Sequence, residues 1–199
     1  MSKADPLAPL LAAIDSLVSW LKSGDYRGML IGGVAASMLG RPRVTRDVDA
    51  LVLVEPSQWA AFEAAGRRFG FRPRISNPLQ FARTARILLM RHHSSRIDTD
   101  ISFGALPFEE EAVARARTRK FKGISVPLPA PEDLIIMKAV AHRPVDLSDI
   151  TGILDSHPKL KSDRIRSWVG AFANALETPE MLVDLDNLLE RARKRKKKN

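Results

Sequence analysis

Apolar positions recur along the chain with two periods, and the switches between them lay out the elements. From Leu7, residues Leu10, Leu11, Ile14, Leu17, Val18 and Leu21 fall three and four apart, which predicts an amphipathic helix ending at Gly24. Gly28 to Ile31 reads as a first strand and Val34 to Leu39 as a short helix of small residues. Between Val44 and Val54 the period drops to two. Val48, Ala50, Val52 and Val54 share one face, and Thr45, Asp47 and Asp49 share the other before it turns to Leu51 and Leu53. A strand that is apolar on both faces at one end and acidic on one face at the other belongs at the edge of a site.

Pro56-Ser57 predicts a helix start, with Ser57 as N-cap and Trp59, Phe62 and Phe69 turned inward. Arg72 to Thr84 has no clear period and reads as a loop or weak strand on the substrate side, rich in arginine. Ala85 to Met90 and Arg96 to Phe103 read as two strands joined at His92-His93-Ser94-Ser95, a pair exposed in a turn unless a third ligand makes it a metal site. On the second of these strands Asp98 and Asp100 share a face. Phe108 to Thr118 reads as a charged helix, with Glu109, Glu110 and Glu111 early and Arg115, Arg117 and Arg119 late. Gly123 to Leu128 is expected as a last strand.

Pro129 and Pro131 then mark a boundary, with Pro131-Glu132-Asp133 opening a helix. Two more amphipathic helices follow, one on Ile165, Trp168, Val169, Phe172 and Leu176, the other on Leu182, Leu185, Leu188 and Leu189. The fold class is α+β: a small mixed sheet flanked by helices, then a helical segment. The expected division is a catalytic domain over 1–128, a C-terminal helical segment over 129–190 packed on it, and a basic tail over 191–199.

Composition narrows the chemistry. The 199 residues contain no cysteine, which removes disulfides and thiolate metal sites. Without a signal peptide or a long uncharged apolar run, a cytoplasmic protein with no membrane segment is expected. The net charge of +9 favours a polyanionic partner, although part of the excess lies in the tail from Arg191 to Lys198, which also fits a solvated terminus.

The candidate chemistry sits between Met29 and Val54. Gly32-Gly33 lies where a strand gives way to a helix, so backbone N–H groups and the positive helix end can face an anion. Asp47 and Asp49 point the same way, and two such carboxylates repel unless they share a cation or a proton. A hard divalent ion resolves that repulsion, and a nucleotide phosphate can complete its octahedral shell. Either Asp98 or Asp100 supplies the third carboxylate that two-metal phosphoryl transfer needs. Lys138 lies on the apolar stripe of Leu134 and Ile135, where a lysine either snorkels to the rim or meets an anion.

The combination GG-x-A, G-x-x-R-x-T and D-x-D, on Gly32, Gly33, Ala35, Gly40, Arg43, Thr45, Asp47 and Asp49, resembles the polymerase-beta-like nucleotidyltransferase superfamily. Within it, the look is to AbiEii-type and MenT-like toxin nucleotidyltransferases. The string P-E-D-L-I-I-M-K-A-V-A-H-R-P-V-D-L-S-D-I from Pro131 resembles the segment that follows the sheet in those proteins. The resemblance spans roughly Met29 to Leu154 and implies a nucleotidyltransferase-like sheet, whose strand order periodicity alone would not fix.

It also implies a site. Asp47, Asp49 and Asp100 would be catalytic and hold Mg2+ (or Mn2+), and Asp100 is preferred to Asp98 because Gly104 and Pro107-Phe108 follow it at the family's spacing. Gly32, Gly33, Arg43, Thr45 and Lys138 would bind the nucleotide, with Arg143, Asp146 and Asp149 near the lysine; an ion pair from Lys138 to Asp146 or Asp149 is the structural alternative. Many superfamily members carry Gly-Ser where this chain has Gly32-Gly33, so one hydroxyl contact to phosphate is missing. The activity implied is transfer of a nucleoside monophosphate from an NTP to a hydroxyl, on RNA or a tRNA end, by a toxin with a cognate antitoxin or in phage defence. A small-molecule acceptor such as an aminoglycoside, or a non-catalytic nucleic-acid or partner-binding module, are the alternatives.

Overall fold

A computed structural model describes residues 5–196. Its elements run α1 (Ala8–Ser23), β1 (Arg27–Ile31), α2 (Gly32–Leu39), β2 (Asp47–Leu53), α3 (Trp59–Gly66), β3 (Phe71–Pro73), α4 (Pro78–Ala85), β4 (Ile87–His92), β5 (Ile97–Phe103) and α5 (Pro107–Ala114). There follow β6 (Arg117–Phe121), β7 (Ile124–Leu128), α6 (Pro131–Ala141), α7 (Pro144–Ser156), α8 (Ser162–Ala175) and α9 (Glu180–Lys196). The described chain forms an α+β fold.

Contacts divide the chain into two units, one ending at Val34 and resuming over Val44–Leu128, the other formed by Ala35–Arg43 and the chain from Pro129. The division passes through α2, so the loop up to Arg43 belongs with the later helices.

The first unit is built on a five-stranded sheet in the order β1-β2-β5-β4-β3. β2 and β5 are parallel, and the other neighbours are antiparallel. Alternation along the strands sorts the two faces. Val48, Ala50, Val52, Thr99, Ile101, Phe103, Leu88 and Met90 point to one face and are buried. Aromatic rings seal that face: Trp20 of α1 stacks on Phe62 of α3 at 4.4 Å, and Trp59 stacks on Phe103 at 4.3 Å. The other face keeps Met29 and Leu51 buried at one end and is polar at the other.

Several sequence expectations change here. Ser57 does not cap a helix; it lies inside a 3-10 turn, Pro56–Gln58, that leads into α3. Phe69 is only half-buried. The stretch from Arg72 to Thr84 contains part of β3 and most of α4, a helix of eight residues opened by Pro78 of which only Ala82 is buried. The helix expected to reach Thr118 stops at Ala114, and Arg117 and Arg119 lie in β6. β6 pairs with β7 across Lys122 (φ +48°) and Gly123 (φ +89°), so Gly123 to Leu128 closes a hairpin separate from the main sheet. Two consecutive positive φ angles are what a two-residue hairpin turn requires.

In the second unit α6 packs on α7 and α8, and α9 on α8 and α7. Leu176 ends exposed beyond α8. Of the expected basic tail, residues up to Lys196 continue α9; Lys194 pairs with Glu190 and Arg195 with Asp155, and residues 197–199 lie outside the described chain.

The same unit holds a chain of alternating charges. Lys138 is 4% exposed and donates to Asp146 Oδ1 at 2.7 Å, with Asp149 Oδ2 at 3.0 Å. Arg43 grips Asp149 with Nε at 2.8 Å and Nη2 at 3.0 Å, and Arg143 donates to Asp146 through Nε at 2.6 Å. Hydrogen bonds from Arg143 and Lys138 outweigh burial and hold the Asp146 carboxyl below its usual range.

Lys138→Met removes the central cation and leaves two buried carboxylates facing each other. Broken buried ion pairs cost about 3–5 kcal/mol, and the remaining arginines put this one near the lower figure. Urea unfolding of the variant should show a loss of that size; an undiminished midpoint would mean the pairs contribute nothing.

Candidate active site

The polar face is set by register. In the parallel ladder Asp47 lies opposite Asp98 and Asp49 opposite Asp100, and paired residues point the same way. Four carboxylates therefore stand in a two-by-two block on one side of the sheet. The two acid pairs read from separate stretches of sequence are one cluster.

Each corner is stabilised differently. Asp47 is exposed, and Thr45 Oγ1 donates to its Oδ1 at 3.0 Å. Asp49 pairs with Ile31, the last residue of β1, and its carboxylate lies against the turn into α2. A Cβ on Gly32 would stand 1.8 Å from Asp49 Oδ2, and Gly32 has φ +62°, so position 32 is closed to any side chain on two grounds. Gly33 is buried in the first turn of α2.

The β5 pair is held by arginines. Arg91 of β4 lies opposite Asp98 and donates through Nε to Oδ1 at 2.5 Å. Arg74, just past β3, reaches Asp98 Oδ2 with Nη1 at 3.1 Å and Asp100 Oδ1 with Nη2. The hydrogen bond from Arg91 keeps Asp98 below the usual carboxylate range. Burial pushes Asp100 up, and Arg74 offsets that only in part. The two acids therefore respond oppositely to pH. The stabilisation from Asp98 is present above its ordinary pKa of 3.8 and is lost as pH falls through its lowered value. The Asp100 charge costs stability above its raised value and is relieved by protonation.

Arg74 is the site residue that sequence reading passes over. It lies in the arginine-rich stretch assigned to the substrate side, but no local pattern says that it doubles back onto β5. Asp100 shares its face with Asp47 and Asp49, and so does Asp98; what separates them is that Asp98 carries two guanidinium partners and Asp100 one. Arg43 and Lys138 belong to the second unit, where both are bonded to Asp149. His92 is not an exposed turn residue: it is buried against Phe71, bonded to Ser95 Oγ at 2.7 Å, and its pKa is lowered by burial.

The donors fit a hard cation, being all oxygen with no imidazole or thiolate among them. Among the described residues, however, no group of three or more His, Asp or Glu is gathered closely enough to grip an ion as placed. Asp49 is drawn to the glycine turn and Asp100 to Arg74, whose guanidinium supplies the positive charge the block needs.

A family model described as a nucleotidyl transferase of unknown function (DUF2204) matches residues 11–187. No curated protein matches the chain in sequence. Among solved structures, the antibiotic-resistance factor ANT(2'')-Ia in solution superposes with a TM-score of 0.59 at 14% identity, over 86% of this chain and 95% of that one. An antigenic nucleotidyltransferase-like protein from Paracoccidioides brasiliensis gives 0.56 at 16% identity, over 90% and 93%. At such identities the likeness is one of fold. Among the described residues, no helix is long and apolar enough to cross a membrane.

If Arg74 is the internal counterion, Arg74→Met leaves Asp98 and Asp100 repelling. For partly exposed groups a cost of about 1–2 kcal/mol is expected, or ~3–6 °C in Tm for a chain of this size. Magnesium should restore more of the Tm in the variant than it adds to the parent, as read by melting in EDTA and in excess Mg2+. Equal responses would show that the guanidinium and the metal do not compete for the same charge.

Proposed function

This chain belongs to the family of nucleotidyl transferases of unknown function, and from that premise we propose that it moves a nucleoside monophosphate from an NTP to a hydroxyl on RNA, a tRNA end being one such acceptor. The observation that carries the proposal is the register of β2 on β5, which lines up Asp47, Asp49 and Asp100 beside the Gly32 turn.

In the reaction, the acceptor hydroxyl oxygen bonds to the α-phosphorus, the bridging bond to the β-phosphate breaks, and pyrophosphate leaves with the electron pair. The hydroxyl proton passes to Asp100, which shares the sheet face of Asp47 and Asp49. Gly32 and Gly33 offer backbone N–H groups at the start of α2 to the phosphates, and Thr45 offers its hydroxyl. The resemblance also gives Arg43 and Lys138 nucleotide-binding roles; both are bonded to Asp149 in the second unit, so a phosphate oxygen would have to displace that carboxylate. Mg2+ or Mn2+, held by Asp47, Asp49 and Asp100, would supply charge neutralisation on the reacting oxygens. The protein's own task is then placement.

Support for an RNA acceptor comes from the net charge of +9 and from the resemblance of the two motif blocks to AbiEii-type and MenT-like toxins. The same resemblance supports a toxin role with a cognate antitoxin. A small cationic acceptor is the second reading, raised by the fold shared with an antibiotic-resistance factor. It would need an acid to spare on the sheet face, and Asp98 is already neutralised by Arg74 and Arg91.

The proposal predicts that Asp47→Asn and Asp49→Asn each abolish transfer while the fold stays intact or gains stability from lost repulsion. Asp100→Asn should cost several orders of magnitude in rate and Asp98→Asn far less. Incubation with total RNA, Mg2+ and each labelled NTP in turn reads the transfer, with melting measured in parallel. Near-normal turnover by Asp49→Asn would end the metal-site reading, and equal mild losses at 98 and 100 would leave β5 an ordinary polar edge.

A further inference from the structure

Between Glu111 and Glu132 the sequence has no acid and five basic residues: Arg115, Arg117, Arg119, Lys120 and Lys122. The hairpin sorts them. Val126 and Leu128 of β7 are buried, where β7 packs against β1 and α1. Their cross-strand partners Arg119 and Arg117 are exposed, as are Thr118, Lys120 and the turn residue Lys122. β7 is thus the anchored strand, and β6 stands clear of the core with cations on both of its faces.

Among the described residues, no carboxylate pairs with Arg117, Arg119, Lys120 or Lys122. The contrast with the sheet face is sharp, since Arg74 and Arg91 there are taken up by Asp98 and Asp100. Residues two apart on a strand repeat every 6.8 Å or so, so Arg117 and Arg119 form a row of charge along β6. Phe121, half-buried between Lys120 and Lys122, adds a ring at the free end. Positive charge that follows a backbone, with an aromatic face for a base, is the usual equipment for binding single strands.

We propose that the β6–β7 hairpin is an RNA-binding surface that holds a single-stranded stretch of the acceptor. This rests on the RNA reading of the site above for the word acceptor, but not for the binding itself. Charges on an edge strand also discourage edge-to-edge pairing. That purpose is served by one or two lysines, and it does not call for four unpaired cations on both faces and at the turn.

The test uses the full chain, labelled tRNA and a labelled oligo(U), titrated at several salt concentrations. The variant carries Arg117→Ser, Arg119→Ser, Lys120→Ser and Lys122→Ser together. Each phosphate contact on a single strand contributes about 0.7 to the slope of log affinity against log salt, so a shallower slope by about 2–3 is expected. Phe121→Leu should weaken oligo(U) binding by roughly tenfold or more through lost stacking. Unchanged melting and NTP affinity would show that the variants fold, and a second set, Arg117→Lys with Arg119→Lys, should keep the parent slope.

An unchanged slope in the fourfold variant would overturn the proposal and leave the charges as edge protection. Equal binding of RNA and poly-glutamate, lost equally on mutation, would also overturn it, making the partner an acidic protein surface. A slope that falls while no label passes from NTP into RNA would keep the hairpin as an RNA-binding surface and remove RNA as the acceptor.

Discussion

Four carboxylates on one patch of a parallel β ladder is the constraint to which the rest of the first unit answers. Neighbouring strands lie about 4.8 Å apart, and at an effective dielectric of 20 two unit charges at that spacing repel by roughly 3 kcal/mol. No sheet keeps such a block without compensation. Here the compensation comes from Arg74 and Arg91 on the β5 side, from Thr45 at Asp47, and from a glycine turn that gives the Asp49 carboxylate room. None of these devices makes sense for a structural sheet, which would place apolar residues there. The polar half of this face carries an excess of negative charge, and the Arg74 guanidinium offsets part of it.

That constraint also explains what could be read from the sequence. β2 and β5 were legible because alternation is local, and an acid at every second position of an apolar strand stands out. Their pairing was not, because a parallel register is fixed by packing between residues about fifty apart, and no single stretch records it. α4 was missed because it is only eight residues long, about two turns, too short for a helical period to establish itself. The hairpin was missed for the opposite reason: three glutamates followed by three alternating arginines imitate a helix matched to its dipole. The signal that could have corrected it was Lys122-Gly123, a good two-residue turn between two runs able to form strands.

Lys138 shows a different limit. A lysine on an apolar stripe was read either as a phosphate ligand or as an ion-pair partner, and both follow from the same physics of a buried ammonium seeking anions. The structure supplies two carboxylates at 2.7 and 3.0 Å, each with its own arginine. The motif string from Pro131 is thereby given a structural reason to carry its charges as a set. A lysine without Asp146 and Asp149 would be expensive to bury, and those acids without Arg143 and Arg43 would be overcharged. Arg43 ends the Ala35–Arg43 segment of the same unit, so that loop is tied down by the same set.

On the RNA reading proposed above, an acidic site has to serve a polyanion. A triphosphate can approach carboxylates because a divalent ion comes with it, but the rest of an RNA strand has no such escort. It must be drawn in by charge elsewhere on the protein. Net charge alone cannot say where, because a cation already paired with an acid is worth little to a third party. By that measure Arg43, Arg74, Arg91, Lys138 and Arg143 drop out of the count, as do Lys194 and Arg195 near the C-terminus. The hairpin cations on β6 and its turn survive the subtraction, on the same unit as the carboxylate block. Unpaired charge, rather than total charge, is what separates the surface proposed to hold an acceptor strand from the arginines that pair with the sheet's carboxylates.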